Sequence, residues 1–189
     1  MARGRPLTDR LCLVCGLCCS GALFKDVELQ PGDDPEKLAA LGLLMSRGSW
    51  RRASSRPVKA ASCRPACPAK FTQPCAALQH DGRCRLYADR PRRCRDFDCA
   101  LLKSAAAGQC GLPSARRTIR TACARADRVR RLLRALGDED EQLALSLRFK
   151  RLHRRLARAR LDPEKAAAFG QLTLAVHDLN LLLRESFYA

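Results

Sequence analysis

Residues 114–136, SARRTIRTACARADRVRRLLRAL, decide the fold class. Apolar positions recur at Ile119, Ala122, Ala126, Val129, Leu133 and Leu136, in steps of three and four, which is the period of a helix with one buried face. Ser114 is placed to cap its start and Gly137 to stop it. Beyond that stop, the acidic run Asp138–Glu141 suits the N-terminus of a second helix, over 139–160, where the macrodipole favours negative charge. Leu145, Phe149, Leu152 and Leu156 would form its buried side. Asp162-Pro163 opens a third helix carrying Phe169, Leu172, Val176, Leu179 and Leu183 at helical spacing. Three amphipathic helices with short connections predict an antiparallel helical bundle over 114–189.

Composition agrees with that reading. The chain has 189 residues, 47% of them hydrophobic, enough to bury a core and too apolar for a disordered tail. Only 5% are aromatic, and Leu, Ala and Arg dominate, which favours helices over a β-sandwich. No charge-free run of about 18 residues is present, so no membrane span is expected. Toward the N-terminus, residues 22–29 alternate loosely and suit a short strand. Asp34 and Pro35 open a helix predicted to run to Gly48, residues 46–74 read as an irregular loop, and a turn is expected at His80-Asp81-Gly82. The expected architecture is mainly α. Residues 1–113 would form a cysteine-rich metal-binding layer with little β structure, packed on the C-terminal helical region 114–189 within one compact domain.

The 12 cysteines all lie between Cys12 and Cys123. Arg3 and Arg5 before the apolar run Leu11–Phe24 imitate a secretory signal. That run, however, holds four cysteines, is broken by Gly16, Ser20 and Gly21, and lacks a small-x-small cleavage site. A cytoplasmic protein is therefore expected, in which so many thiols serve as metal ligands rather than as disulfides. In Cys12-Leu-Val-Cys15-Gly-Leu-Cys18-Cys19, two-residue gaps let a tight turn aim sulfurs and backbone amides at one centre, with Gly16 free to take positive φ. Three cysteines at successive two-residue gaps resemble the start of a 4Fe–4S ligand run and equally suit half of a zinc knuckle. Side chains of the neighbours Cys18 and Cys19 diverge, so they serve different metals or one is a bystander. A second cluster, Cys75, Cys84, Cys94 and Cys99, brings the total to eight thiols, enough for two four-ligand sites. Arg83, Arg85, Arg90, Arg92, Arg93 and Arg95 around it would offset thiolate charge and lower thiol pKa values.

Together, CLVCGLCC and PCAALQHDGRCRLYADRPRRCRDFDC resemble the cysteine-cluster family described as a zinc- or iron-chelating domain. Its Cys-x-x-Cys-x-x-Cys-Cys signature stands at Cys12–Cys19. The proline-cysteine, Gly-x-Cys-x-[Ile/Leu]-Tyr and Arg-Pro-x-x-Cys-Arg-x-Phe elements follow at Pro74-Cys75, Gly82–Tyr87 and Arg90–Phe97. The resemblance covers roughly residues 12–102. It implies Cys12, Cys15, Cys18, Cys19, Cys75, Cys84, Cys94 and Cys99 as metal ligands without identifying the metal; between an iron–sulfur cluster and zinc, the triple two-residue spacing prefers the cluster. Cys63, Cys67, Cys110 and Cys123 fall outside the pattern and read as buried or spare thiols.

No catalytic pair is evident, and no Gly-x-Gly-x-Gly loop would support methyl transfer. Tyr87, Phe97 and Pro91 read as packing and turn residues, and His80, His153 and His177 as surface histidines. The net charge of +17, from 36 basic and 19 acidic residues, makes nucleic acid or an acidic protein an alternative partner. Arg148, Arg151, Arg155 and Arg158 would form the contacting stripe beside Lys150 and Arg154.

Overall fold

A computed structural model describes residues 7–46, 69–160 and 162–188. In chain order the elements are α1 (Leu7–Cys15), β1 (Asp26–Glu28), α2 (Pro35–Ala40), β2 (Met45–Ser46) and β3 (Lys70–Thr72), then α3 (Arg92–Asp96), α4 (Ala100–Ala106), α5 (Leu112–Ala135), α6 (Leu145–Leu156) and α7 (Pro163–Ser186). Helices dominate, as the low aromatic content implied.

The long helix α5 buries Ala115, Ile119, Ala122, Ala126, Val129 and Leu133, a stripe stepping by four and three. Against it lies α7, burying Leu172, Ala175, Leu179 and Leu183. Length and composition alone would let α7 cross a membrane. In this fold its inner face belongs to the core, and Arg125 of α5 donates to the Asp178 carbonyl at 2.7 Å. Helices α1 and α4 also pack on α5, so Leu11, Leu17, Leu23, Leu101 and Leu102 share one core with α5, α6 and α7. That core spans both sides of residue 113. A smaller core under the sheet holds Val27, Leu29, Leu38, Leu43, Phe71, Ala77 and Leu86.

Several local expectations are corrected. The helix begun by Asp34, whose carboxylate accepts from the Glu36 and Lys37 amides, ends at Ala40 rather than near Gly48. The chain leaves it at Gly42, with φ +92, and enters β2. Residues 46–74 are not wholly irregular: Lys70–Thr72 is the central strand, antiparallel to β1 through Val27↔Phe71 and to β2 through Met45↔Phe71. Residues 47–68, with Cys63 and Cys67, lie outside the described residues. The helix α5 starts at Leu112 after Gly111, two residues before Ser114.

The acidic run Asp138–Glu141 does not cap α6, which starts at Leu145 after Ala144. Asp138 is instead 3% exposed and receives Arg148, itself 1% exposed, at 2.8 Å; Arg148 also donates to the Asp138 carbonyl at 2.6 Å. Arg151 adds two bonds to the same carboxylate, and Arg155 donates to the Leu136 carbonyl at 2.8 Å. The arginine stripe thus turns inward at the α5–α6 corner. A cation at the end of α5 satisfies carbonyls that the helix leaves unpaired. Three of the four residues expected to meet nucleic acid are engaged in holding this corner.

That corner touches the cysteine-bearing loop at Gly21. The Leu145 amide donates to the Gly21 carbonyl at 3.0 Å, and a Cβ on Gly21 would stand 2.9 Å from Ala144 Cα. Its φ of +73 is also the glycine-favoured region. Gly108, with φ +72 and no atom within 4 Å of a built Cβ, shares the backbone strain without the close approach. Gly21→Ala is therefore expected to destabilise the protein by about 1–3 kcal/mol more than Gly108→Ala does, the usual cost of overpacking. Urea denaturation of the two variants checks this; equal costs would mean that the corner yields freely.

Candidate metal centre

Cys12 and Cys15, three residues apart, lie along one face at the end of α1. They sit in a helix, where the sequence suggested a tight turn. The helix stops at once because Gly16 takes φ +62, as its position had implied. The Gly16 carbonyl then accepts from the Cys19 amide at 3.0 Å and the Ser20 amide at 2.8 Å, winding Cys18 and Cys19 into a tight loop. The second segment is fastened to this loop where the Cys75 amide donates to the Cys19 carbonyl at 2.7 Å. A turn at Gly82, with φ +81, folds the chain back so that Cys84 pairs with Leu78. Pro91 starts α3, which carries Cys94, and Cys99 stands at the head of α4.

The two sequence clusters are interleaved in space. Cys12, Cys15, Cys18 and Cys99 pack against the helical core, and Cys75, Cys84 and Cys94 against the sheet core. Cys75, Cys94 and Cys84 act most strongly on the Cys19 thiol and Cys15 less, while its neighbour Cys18 feels Cys15, Cys19, Cys99 and Cys12. Seven of the eight, all but Cys75, line a cavity of about 400 Å3, walled also by Phe24, Phe97 and Phe187. Among the described residues, no three Cys, His, Asp or Glu side chains already close on a point that one ion could fill. The sulfurs stand around a space rather than a point.

Burial pushes the Cys15, Cys19 and Cys94 thiols up to about 12, and neighbouring thiols add to the rise. Cys18 rises further for the same reasons, and Cys75 also shifts upward through burial. The expectation that arginines would lower these thiols is reversed because desolvation outweighs them. Arg90 and Arg85 do lower Cys94 and Cys75 in part. Of the six arginines, only Arg90 and Arg93 line the cavity, Arg90 with its guanidinium 3.8 Å above the Tyr87 ring. Arg83 pairs with Asp81, Arg92 with Asp96, and Arg85 donates to the Leu41 carbonyl.

The donor set fits a metal. Half-buried thiols that are costly to ionise alone become stable thiolates when a cation replaces their protons. Backbone amides are already aimed at them: Leu17 at the Cys15 sulfur, and Ala77 and Leu78 at the Cys75 sulfur. Such bonds tune metal–thiolate centres.

Sequence reasoning set Cys123 aside, yet its thiol lies at the first set, donating to the Cys15 carbonyl at 3.3 Å. Its position in α5 placed it near the buried stripe, but only packing of α1 on α5 reveals the neighbour. Cys110 is partly buried, with its thiol directed to the Gly111 carbonyl. Phe97 meets Phe24 edge-on at 5.0 Å, the packing role expected of it. His80 and His177 are exposed, and exposed His153 lies against Phe149 and Phe169.

No curated protein and no solved structure shows significant similarity to this chain. A family model matches residues 11–124, from the start of the first cluster through Cys123, and its description is "Putative zinc- or iron-chelating domain". Zinc or iron is what the thiol chemistry had suggested. With the match covering more than half of the chain and both cysteine clusters, the protein belongs to the CxxCxxCC family.

Proposed function

We propose that the protein carries two four-thiolate metal centres, Cys12/Cys15/Cys18/Cys99 and Cys19/Cys75/Cys84/Cys94, each holding an iron–sulfur cluster. The observation that carries this reading is the packing of Cys12, Cys15, Cys18 and Cys99 against the helical core and of Cys75, Cys84 and Cys94 against the sheet core, with Cys19 fastened to Cys75 through its carbonyl, around a cavity that all of them but Cys75 line. A single zinc ion draws its four sulfurs to about 3.8 Å from one another, as Zn–S bonds of about 2.3 Å require. Among the described residues no three thiols already close on such a point, and the Cys12/Cys15/Cys18 spacing matches the start of a 4Fe–4S ligand run, which together favour a polynuclear centre. Such a centre would supply one-electron chemistry, and the role that follows is electron transfer or redox sensing in a reducing compartment. The chain's own part is to hold the thiolates, shield them with Phe24, Phe97 and Phe187, and offset their charge with Arg90 and Arg93. Zinc as a structural staple is the competing assignment, since the same eight thiolates satisfy two tetrahedral ions.

Anaerobic purification followed by metal analysis and a visible spectrum tests the reading. The expected result is bound iron and inorganic sulfide with broad absorption near about 400 nm. A colourless protein with about two zinc ions would replace the clusters by zinc while keeping the sets. Folded, anaerobically prepared protein without transition metal would overturn the proposal.

A further inference from the structure

We infer that Cys15 and Cys123 form a built-in thiol pair, the modification site at which peroxide converts the first metal centre to a disulfide while leaving the second intact. The inference rests on the two-centre reading for its consequence but not for the pairing itself. Four sulfurs complete a four-ligand centre, and the first set has a fifth beside it. Cys123 projects from α5 at the height where α1 ends, and its thiol reaches the Cys15 carbonyl at 3.3 Å. Both residues are partly buried against the same helical core, and α1 packs directly on α5. No corresponding fifth cysteine packs against the sheet core beside Cys75, Cys84 and Cys94 among the described residues.

The cavity supplies access. Cys15 lines it, whereas Cys123 stands behind Cys15, outside the lining. Hydrogen peroxide is small enough to enter about 400 Å3. The Cys15 sulfur, a thiolate where it serves as a ligand, attacks one peroxide oxygen, the O–O bond breaks, and the other oxygen leaves as hydroxide and takes a proton from solvent to become water. Cys15 is then a sulfenic acid. The Cys123 sulfur attacks the Cys15 sulfur, the S–O bond breaks, and the hydroxyl departs as a second water with the Cys123 proton. One thiolate and one thiol thus lose two electrons and one proton, solvent supplies one further proton, and one peroxide becomes two waters. Cys15 can no longer act as a thiolate ligand, so the first set is left with Cys12, Cys18 and Cys99.

The test treats full-length, anaerobically prepared protein with one equivalent of hydrogen peroxide and follows metal release and disulfide position by peptide mapping. Cys123→Ser and Cys110→Ser are compared with the parent. The parent and Cys110→Ser are expected to show a Cys15–Cys123 bridge and to release about half of their metal, with the bridge reversed by dithiothreitol. Cys123→Ser, with its metal intact before treatment, is expected to form no bridge to Cys15 and to release metal several-fold more slowly. A bridge mapped to other cysteines, or equal release from Cys123→Ser, would overturn the inference. Metal content before peroxide tests the two-centre reading separately, because the bridge can be mapped in protein that holds no metal.

Discussion

Cys18→Ser combined with Cys19→Ser is expected to strip both metal centres, whereas Cys18→Ser with Cys99→Ser strips only one. The contrast follows from the interleaving, because Cys18 packs with Cys12, Cys15 and Cys99 while Cys19 faces Cys75, Cys84 and Cys94. A third double variant, Cys19→Ser with Cys84→Ser, should also lose one centre's worth of metal. Had the sets followed sequence order, Cys18 and Cys19 would share a centre, and Cys99 would group with Cys84. Metal content per chain, measured anaerobically, decides between the two arrangements. The effect on stability should be large, since ligand loss removes binding free energy coupled to folding, about 10–16 kcal/mol for a structural zinc site in small peptides. Cys110→Ser, at a thiol that packs against the helical core and is directed to the Gly111 carbonyl at 3.6 Å, should leave both centres filled. Equal metal loss in all three double variants would show that the eight thiols act as one inseparable assembly.

Asp138→Ala is expected to lower stability by about 3–5 kcal/mol, because it leaves the Arg148 guanidinium buried without its carboxylate. Arg148 is 1% exposed, and its other bond, to the Asp138 carbonyl, does not supply a countercharge. At about 2–4 °C per kcal/mol for a chain of this size, the melting temperature should fall by roughly 6–20 °C. Adding Arg148→Met to Asp138→Ala should recover much of the loss, since replacing a whole buried pair with apolar groups is often neutral. Thermal denaturation of the single and double variants checks both statements. A loss below about 1 kcal/mol for Asp138→Ala would mean that water or the nearby Asp140 carboxylate compensates the guanidinium.

The helices could be read from the sequence because their signals are local. Ile119, Ala122, Ala126, Val129 and Leu133 are spaced by the geometry of the helix they form, and Asp162-Pro163 carries both a cap and a preferred first residue. The strand β3 could not, because Lys70-Phe71-Thr72 offers one apolar residue and becomes a strand only between two partners distant in sequence. Arg148 read as part of a basic contacting stripe for a related reason. Its carboxylate lies ten residues earlier in what reads as a helix start, and the spacing of arginines says nothing of which way the corner folds. Among the cysteines, the family motif supplied the identities of the ligand candidates but not their partners. On the proposed assignment, the exchange of Cys19 and Cys99 between clusters depends on Cys75 bonding to Cys19 and on α4 packing beside α1, both long-range events.

The adjacency of Cys18 and Cys19 bears on how the protein would be loaded. Consecutive Cα atoms are 3.8 Å apart across a trans peptide, so on the proposed assignment one peptide unit joins the two centres. Filling either set fixes the loop wound around Gly16 and thereby orients one ligand of the other set before its metal arrives. The second filling then has less chain entropy to lose than the first. Titration with metal would then show positive cooperativity, the second set filling at a lower free metal concentration than the first.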